Sequence, residues 1–154
     1  MAELLRESLR EVLYGPDGLT GLFSARGEGL LHTLHAYTAH QARTPPAPGR
    51  PTPAQLTMHL RHTLELTAAH LSDPSALLTD ETDPWTWAPP GEHAWRVELM
   101  NVAQAGQALY GALYLPLSPE VRREAHGAVV FAATQAAVLR ASYFIVQAAG
   151  EPPR

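Results

Sequence analysis

Apolar residues recur along this chain at helical spacing, in segments set apart by clusters of proline and glycine. Strand formers are scarce: Ile145 is the sole isoleucine, and valine is outnumbered by alanine and by leucine, so an all-α domain is predicted. Leu5, Leu9, Val12 and Leu13 mark a short first helix that the Gly15-Pro16-Asp17-Gly18 turn stops. A further helix is predicted from about Leu22 to Tyr37, weakened by Gly27 and Gly29. From Thr44 to Pro53 five of ten residues are proline, which makes an extended connector. Thr52-Pro53-Ala54-Gln55 then opens a helix with an N-cap hydroxyl, a proline at the first helical position and a glutamine placed to close a capping box.

That helix runs to about Leu71 and stops before Asp73-Pro74. A long connection to Pro90 carries Asp80, Glu81, Asp83 and Pro84, then Trp85 and Trp87. The next helix starts near Glu92, places Trp95, Leu99, Val102, Leu109 and Leu113 on one stripe, and ends at Pro116. Ser118-Pro119-Glu120 caps a last helix that reaches Ala149, ahead of Gly150 and Pro152-Pro153. The expectation is one domain over residues 1–154, with four main helices and a short extra N-terminal one.

From Gly127 to Ala149 the last helix has Arg140 as its only charge, but Gln135, Arg140 and Gln147 interrupt it and alanine predominates, so it reads as a buried helix and not a membrane span. One of its faces carries Phe131, Gln135, Val138, Ser142 and Ile145; a second carries Val129, Ala136, Leu139, Tyr143 and Val146. One core needs one stripe. The second is expected to meet another subunit in a homodimer, with burial under the short N-terminal helix as the alternative.

Composition narrows the function. The chain has 154 residues, eleven arginines, no lysine and fifteen acids, for a formal charge of −4. That leaves no basic surplus for phosphates, so no nucleic-acid partner is expected. The absence of cysteine excludes disulfide scaffolds, thiolate zinc sites and cysteine nucleophiles. The first residues form an amphipathic segment with Glu3, Glu7 and Glu11, unlike a signal peptide, and a cytoplasmic location is the expectation.

No phosphate-binding glycine loop, zinc-protease motif or nucleophile elbow is present, and no general base has an obvious orienting partner. Eight histidines stand out: His32, His35 and His40, then His59, His62 and His70, then His93 and His126. Spacings of three put His32/His35 and His59/His62 on adjoining positions of one helix face, but pairs are not triads. His59 shares a stripe with Leu56, Leu60, Thr63 and Leu66 and is expected to be held by a hydrogen bond, with Gln135 a candidate partner. The acidic run before Trp85 lacks the alternating ligands and turn glycine of a calcium loop. A ligand pocket, if present, is expected among His59, His62, Trp85, Trp87, Phe131 and Gln135.

Several blocks resemble the DinB/YfiT superfamily of small four-helix bundles, a family named for DNA-damage induction and distinct from the lesion-bypass polymerase. They are Gly29 to His40, Pro46-Ala47-Pro48-Gly49, Thr52 to Leu60, Asp83-Pro84-Trp85, Ala94-Trp95 and Ala125 to Val130. The resemblance covers nearly the whole chain and implies a divalent metal held by three histidines. His59 falls on the first ligand position. The two fourth-helix ligand positions read Phe131 and Gln135, and shifting the register gives Thr134 and Val138, so neither register supplies an imidazole. An aryl ring donates nothing and a neutral amide is a poor zinc or nickel ligand. The resemblance therefore implies a degenerate metal site, no cofactor, and a non-catalytic binding or structural role in a stress response. The alternatives are a metal-dependent enzyme such as a thiol S-transferase, with zinc or nickel on a rearranged set of His59, His62 and an early-helix histidine, or a small-molecule binder.

Overall fold

The computed structural model describes residues 2–150. Within them the chain forms α1 (Ala2–Tyr14), α2 (Leu30–Ala36), α3 (Ala39–Ala42), α4 (Pro53–Ser72), α5 (Glu92–Ala112) and α6 (Pro119–Gly150), with no strand. The all-helical expectation holds. The proline connector ends where the capping box predicted: Thr52 Oγ1 accepts from Gln55 N–H, and Gln55 Oε1 accepts from Thr52 N–H. The same T-x-x-Q pattern at Thr38–Gln41 caps the single turn of α3.

The long helix α4 packs on both α5 and α6, which lie diagonally apart. The remaining column, against α5 and α6, is assembled from two short helices. Arg6 Nη1 donates to the Leu113 carbonyl at 3.3 Å, Leu13 fills the space over Gly106, and farther on Trp95 Nε1 donates to the Tyr37 carbonyl at 3.1 Å. Thus α1 and then α2 run antiparallel to α5, from its C-terminal end to its N-terminal end. Between them residues 15–29 leave the column and return to the same point.

The predicted helix over Leu22–Tyr37 accordingly begins only at Leu30. Gly15 (φ +85°) and Gly27 (φ +78°) take left-handed conformations that end helices. Between them Thr20 and Ala25 form an isolated bridge, and the Glu11 carboxylate accepts from the N–H groups of Phe23 and Ser24. The Arg26 N–H donates to the Leu19 carbonyl and the Ser24 carbonyl accepts from the Gly21 N–H, so both groups are lost to the ladder of a helix begun at Leu22, and Leu19 and Leu22 stand in solvent.

The two stripes of α6 also exchange places. Val129, Ala136, Leu139 and Val146, expected to meet a partner, are buried inside the chain, and Tyr143 is half-buried edge-on against Tyr37. Of the stripe expected to form the core, Ser142 is buried, Phe131 and Gln135 are half-buried, and Val138 and Ile145 are exposed. The physical reason is composition: on a helix rich in alanine and nearly free of charge, no polar face marks the outside. Among the described residues α6 is the one helix long and apolar enough to cross a membrane, and it packs against α4, α1 and α2.

The junction gives the first testable outcome. A Cβ on Gly29 would lie 2.4 Å from the Tyr14 carbonyl carbon, whereas one on Gly111 in α5 meets nothing within 4 Å. Gly29→Ala should therefore destabilise by about 2 to 4 kcal/mol through backbone overlap. Gly111→Ala should stabilise by about 0.5 to 1 kcal/mol through helix propensity. Thermal unfolding of the two variants should move in opposite directions.

Candidate functional site

On α4, His59 projects toward α6 from one turn beyond the capping box. Its ring is half-buried between Trp85 (centroids 4.8 Å apart, tilted) and Phe131 (5.4 Å, edge-on). The Trp85 backbone is fixed twice: its N–H donates to Asp83 Oδ1 at 3.0 Å, and its carbonyl accepts from Gln55 Nε2. The capping glutamine of α4 thus also anchors the tryptophan loop. Burial, aided by neighbouring His62, holds the His59 imidazole below its ordinary pKa, favouring the neutral ring in this aromatic setting.

Three of the six expected pocket residues, His59, Trp85 and Phe131, are therefore in contact. The others are not. Gln135 stands one turn past Phe131 and lines a separate cavity of about 300 Å³ with Pro46, Leu56, Val138 and Ile145. No hydrogen bond joins it to His59; its Oε1 is buried without a donor, and the tilted Trp85 and edge-on Phe131 rings hold the imidazole instead. Trp87 is half-buried against the main core. His62 is buried one turn along α4, turned to the Asp80 loop, with Nε2 3.3 Å from Asp80 Oδ2 but out of line for a hydrogen bond.

The remaining histidines do not converge either. His32, His35, His40, His93 and His126 are exposed, and His70 bridges Glu124 (2.7 Å) and the Ala76 carbonyl (2.8 Å), its pKa raised chiefly by the Glu124 carboxylate. Among the described residues no three histidines or carboxylates are grouped to hold a metal. The residues at the three compared positions do not fit one: an imidazole, a phenyl ring and an amide supply a single good donor.

The densest polar feature among the described residues lies two positions along α4 from His59, on the side that meets α5, and was not singled out by sequence. Arg61, buried in α4, donates through Nε to Glu98 (2.7 Å), through Nη1 to Glu65 (3.0 and 3.1 Å) and through Nη2 to Asp80 (2.6 Å). One guanidinium thereby ties α4 to α5 and to the loop between them. Its hydrogen bond holds Asp80 far below the usual carboxylate range, while burial raises Glu98 against the pull of Arg61. A cavity of about 360 Å³ adjoins the cluster, lined by Arg61, Glu65, Leu77, Leu78, Asp80 and Asn101 among others. The i, i+4 pair Arg61/Glu65 was visible in the sequence; its buried partners come from long-range packing.

Every charged member of this cluster finds an opposite charge, so its chemistry is that of a fastener. Arg61→Met should cost about 3 to 5 kcal/mol, because it strands the buried Glu98. Asp80 has its pKa depressed in the fold, so its contribution is complete above its unfolded value near 4 and fades as pH falls toward the folded one. Asp80→Asn should lower stability at pH 7 and flatten the loss of stability below pH 4, read by chemical denaturation across pH.

Comparison with family models, with curated proteins and with solved structures gave no match for the chain.

Proposed function

We propose that the chain is a DinB/YfiT-like four-helix bundle whose three-His metal site has been replaced by a packed aromatic cluster, and that it acts by binding, not catalysis. In this reading α1 and α2 together stand for the first bundle helix, and α4, α5 and α6 for the other three. The observation that carries it is the contact of His59 with Phe131. The family resemblance compares these residues with two ligands of one metal, and in the fold they meet ring to ring. Trp85 closes over the same imidazole, so the place of chemistry is filled by side chains. Small-molecule binding is favoured by the cavity at Gln135, whose walls are largely apolar and whose polar groups are few. The rival enzyme needs His59, His62 and an early histidine to converge, whereas His62 faces Asp80 and His32 and His35 are exposed.

Protein purified without a His tag should carry well under one equivalent of transition metal. Stoichiometric zinc or nickel that is lost in His59→Ala overturns the proposal and puts the enzyme first. The restoration variant Phe131→His/Gln135→His should lose about 1 to 3 kcal/mol as apoprotein, because a half-buried aryl ring becomes polar. Added zinc should then raise its melting temperature while leaving the wild type unmoved, since a ligand that binds only the folded state stabilises it. A folded double variant with no greater metal response than the wild type refutes the assigned ligand positions.

A further inference from the structure

The outward face of α6 is used by neither the aromatic cluster nor the Arg61 fastener. Gly127, Val130, Thr134, Ala137, Ala141, Phe144 and Ala148 follow one another at alternating steps of three and four, and all seven are exposed. Val138 and Ile145 flank them, also exposed. Phe144 is 64% accessible, with an edge-on contact to its neighbour Tyr143, and Val130 is 47% accessible, so a phenyl ring and a branched side chain are left largely to solvent on a regular helix. None of the nine residues bears a charge. The single charge between Gly127 and Gly150, Arg140, is turned toward Glu28, whose carbonyl it contacts at 3.3 Å and whose carboxylate lies 3.7 Å away.

We propose that this face is the seam of a homodimer, packed against the same face of a second copy of the chain. The alternating three-four spacing is that of residues meeting across paired helices. The face is also self-complementary: bulky Val130 and Phe144 bracket small Thr134, Ala137 and Ala141, and in an antiparallel pairing centred between Ala137 and Ala141, Val130 of one copy meets Ala148 of the other and Phe144 meets Thr134. At ordinary residue areas the exposed parts of these side chains come to about 600 Å² per copy, the lower bound for specific association. A membrane is the other apolar surface that such a face fits. Helices lying on bilayers bring a rim of lysine and arginine, whereas this chain has no lysine, is acidic overall, and engages Arg140 internally. The seam differs from the stripe that contains Leu139 and Val146, which are 0% and 5% exposed; acidic substitutions there break the core, not an interface. Val138 and Ile145 also wall the cavity at Gln135, and the substitutions that test the seam touch neither, so a failure of the seam is distinguishable from a failure of the proposed function.

Sedimentation at tens of micromolar should give about twice 16.7 kDa. Phe144→Glu and Ala141→Arg should each halve that mass with helicity unchanged by circular dichroism, and Leu22→Glu, on the exposed 15–29 loop, should leave it intact. Because the chain has no cysteine, single substitutions Thr134→Cys, Ala137→Cys and Ala141→Cys offer a second reading that leaves the seam small. At least one should form a disulfide-linked dimer under mild oxidation, and Leu22→Cys should not. A wild type that stays monomeric at several hundred micromolar, a dimer unaffected by both charged substitutions and crosslinked at no seam cysteine, or a monomer that instead partitions onto phosphatidylcholine vesicles overturns the proposal.

Discussion

A helix interrupted twice must find partners for the backbone groups that its breaks set free, and Tyr37 is where this chain meets that demand. It ends α2, accepts at its carbonyl from the buried Trp95 indole of α5, and donates its hydroxyl to the Leu139 carbonyl of α6 at 2.6 Å. Two residues on, Ala39 N–H donates to Glu92 at the start of α5 at 2.8 Å. Since α5 and α6 lie diagonally with no close backbone approach, Tyr37 is a direct hydrogen-bonded tie between them. Burial raises its phenol far above the ordinary value, which keeps the hydroxyl a donor at any working pH. The irregular joint is thus tied into the core by hydrogen bonds to both α5 and α6.

The helices best read from sequence were those with punctuation at both ends. Thr52-Pro53-Ala54-Gln55 and Ser118-Pro119-Glu120 fixed the starts of α4 and α6 because the bonds that cap a helix are local. The segment before Leu30 was misread for the converse reason: Leu22 and Phe23 look periodic, but their surroundings are set by Glu11, a dozen residues away. The exchanged stripes of α6 have another origin. Alanine tolerates either side of a helix, and without charges to label the outside only the shape of the neighbouring helices selects the buried arc.

The candidate site shows the same division within a few residues of α4. His59 was legible as a position, and its contact with Phe131 on α6 follows from the antiparallel register in which Leu56 lies opposite Gln135 and His70 opposite Glu124. Arg61 was not legible as a hub. Its partners Asp80 and Glu98 are 19 and 37 residues away, and the acidic run around Asp80 resembles a solvated loop until the fold turns it inward. Neighbouring faces of one helix thereby do opposite things: one presents a neutral imidazole to aromatic rings, the other buries a guanidinium among carboxylates. The second holds the loop that brings Trp85 to the first.

The point where residues 15–29 leave and rejoin the split column has an evolutionary reading. Tyr14 and Gly29 are so close that no side chain fits between them, and the segment between them is largely exposed. A loop whose ends are already together changes length at small entropic cost, on the order of 0.6 kcal/mol per doubling. Selection can therefore lengthen, shorten or replace this excursion while the joint itself stays constant. Divergence among descendants of this chain should collect there, leaving the Gly15 and Gly29 hinge as the fixed frame around a variable insert.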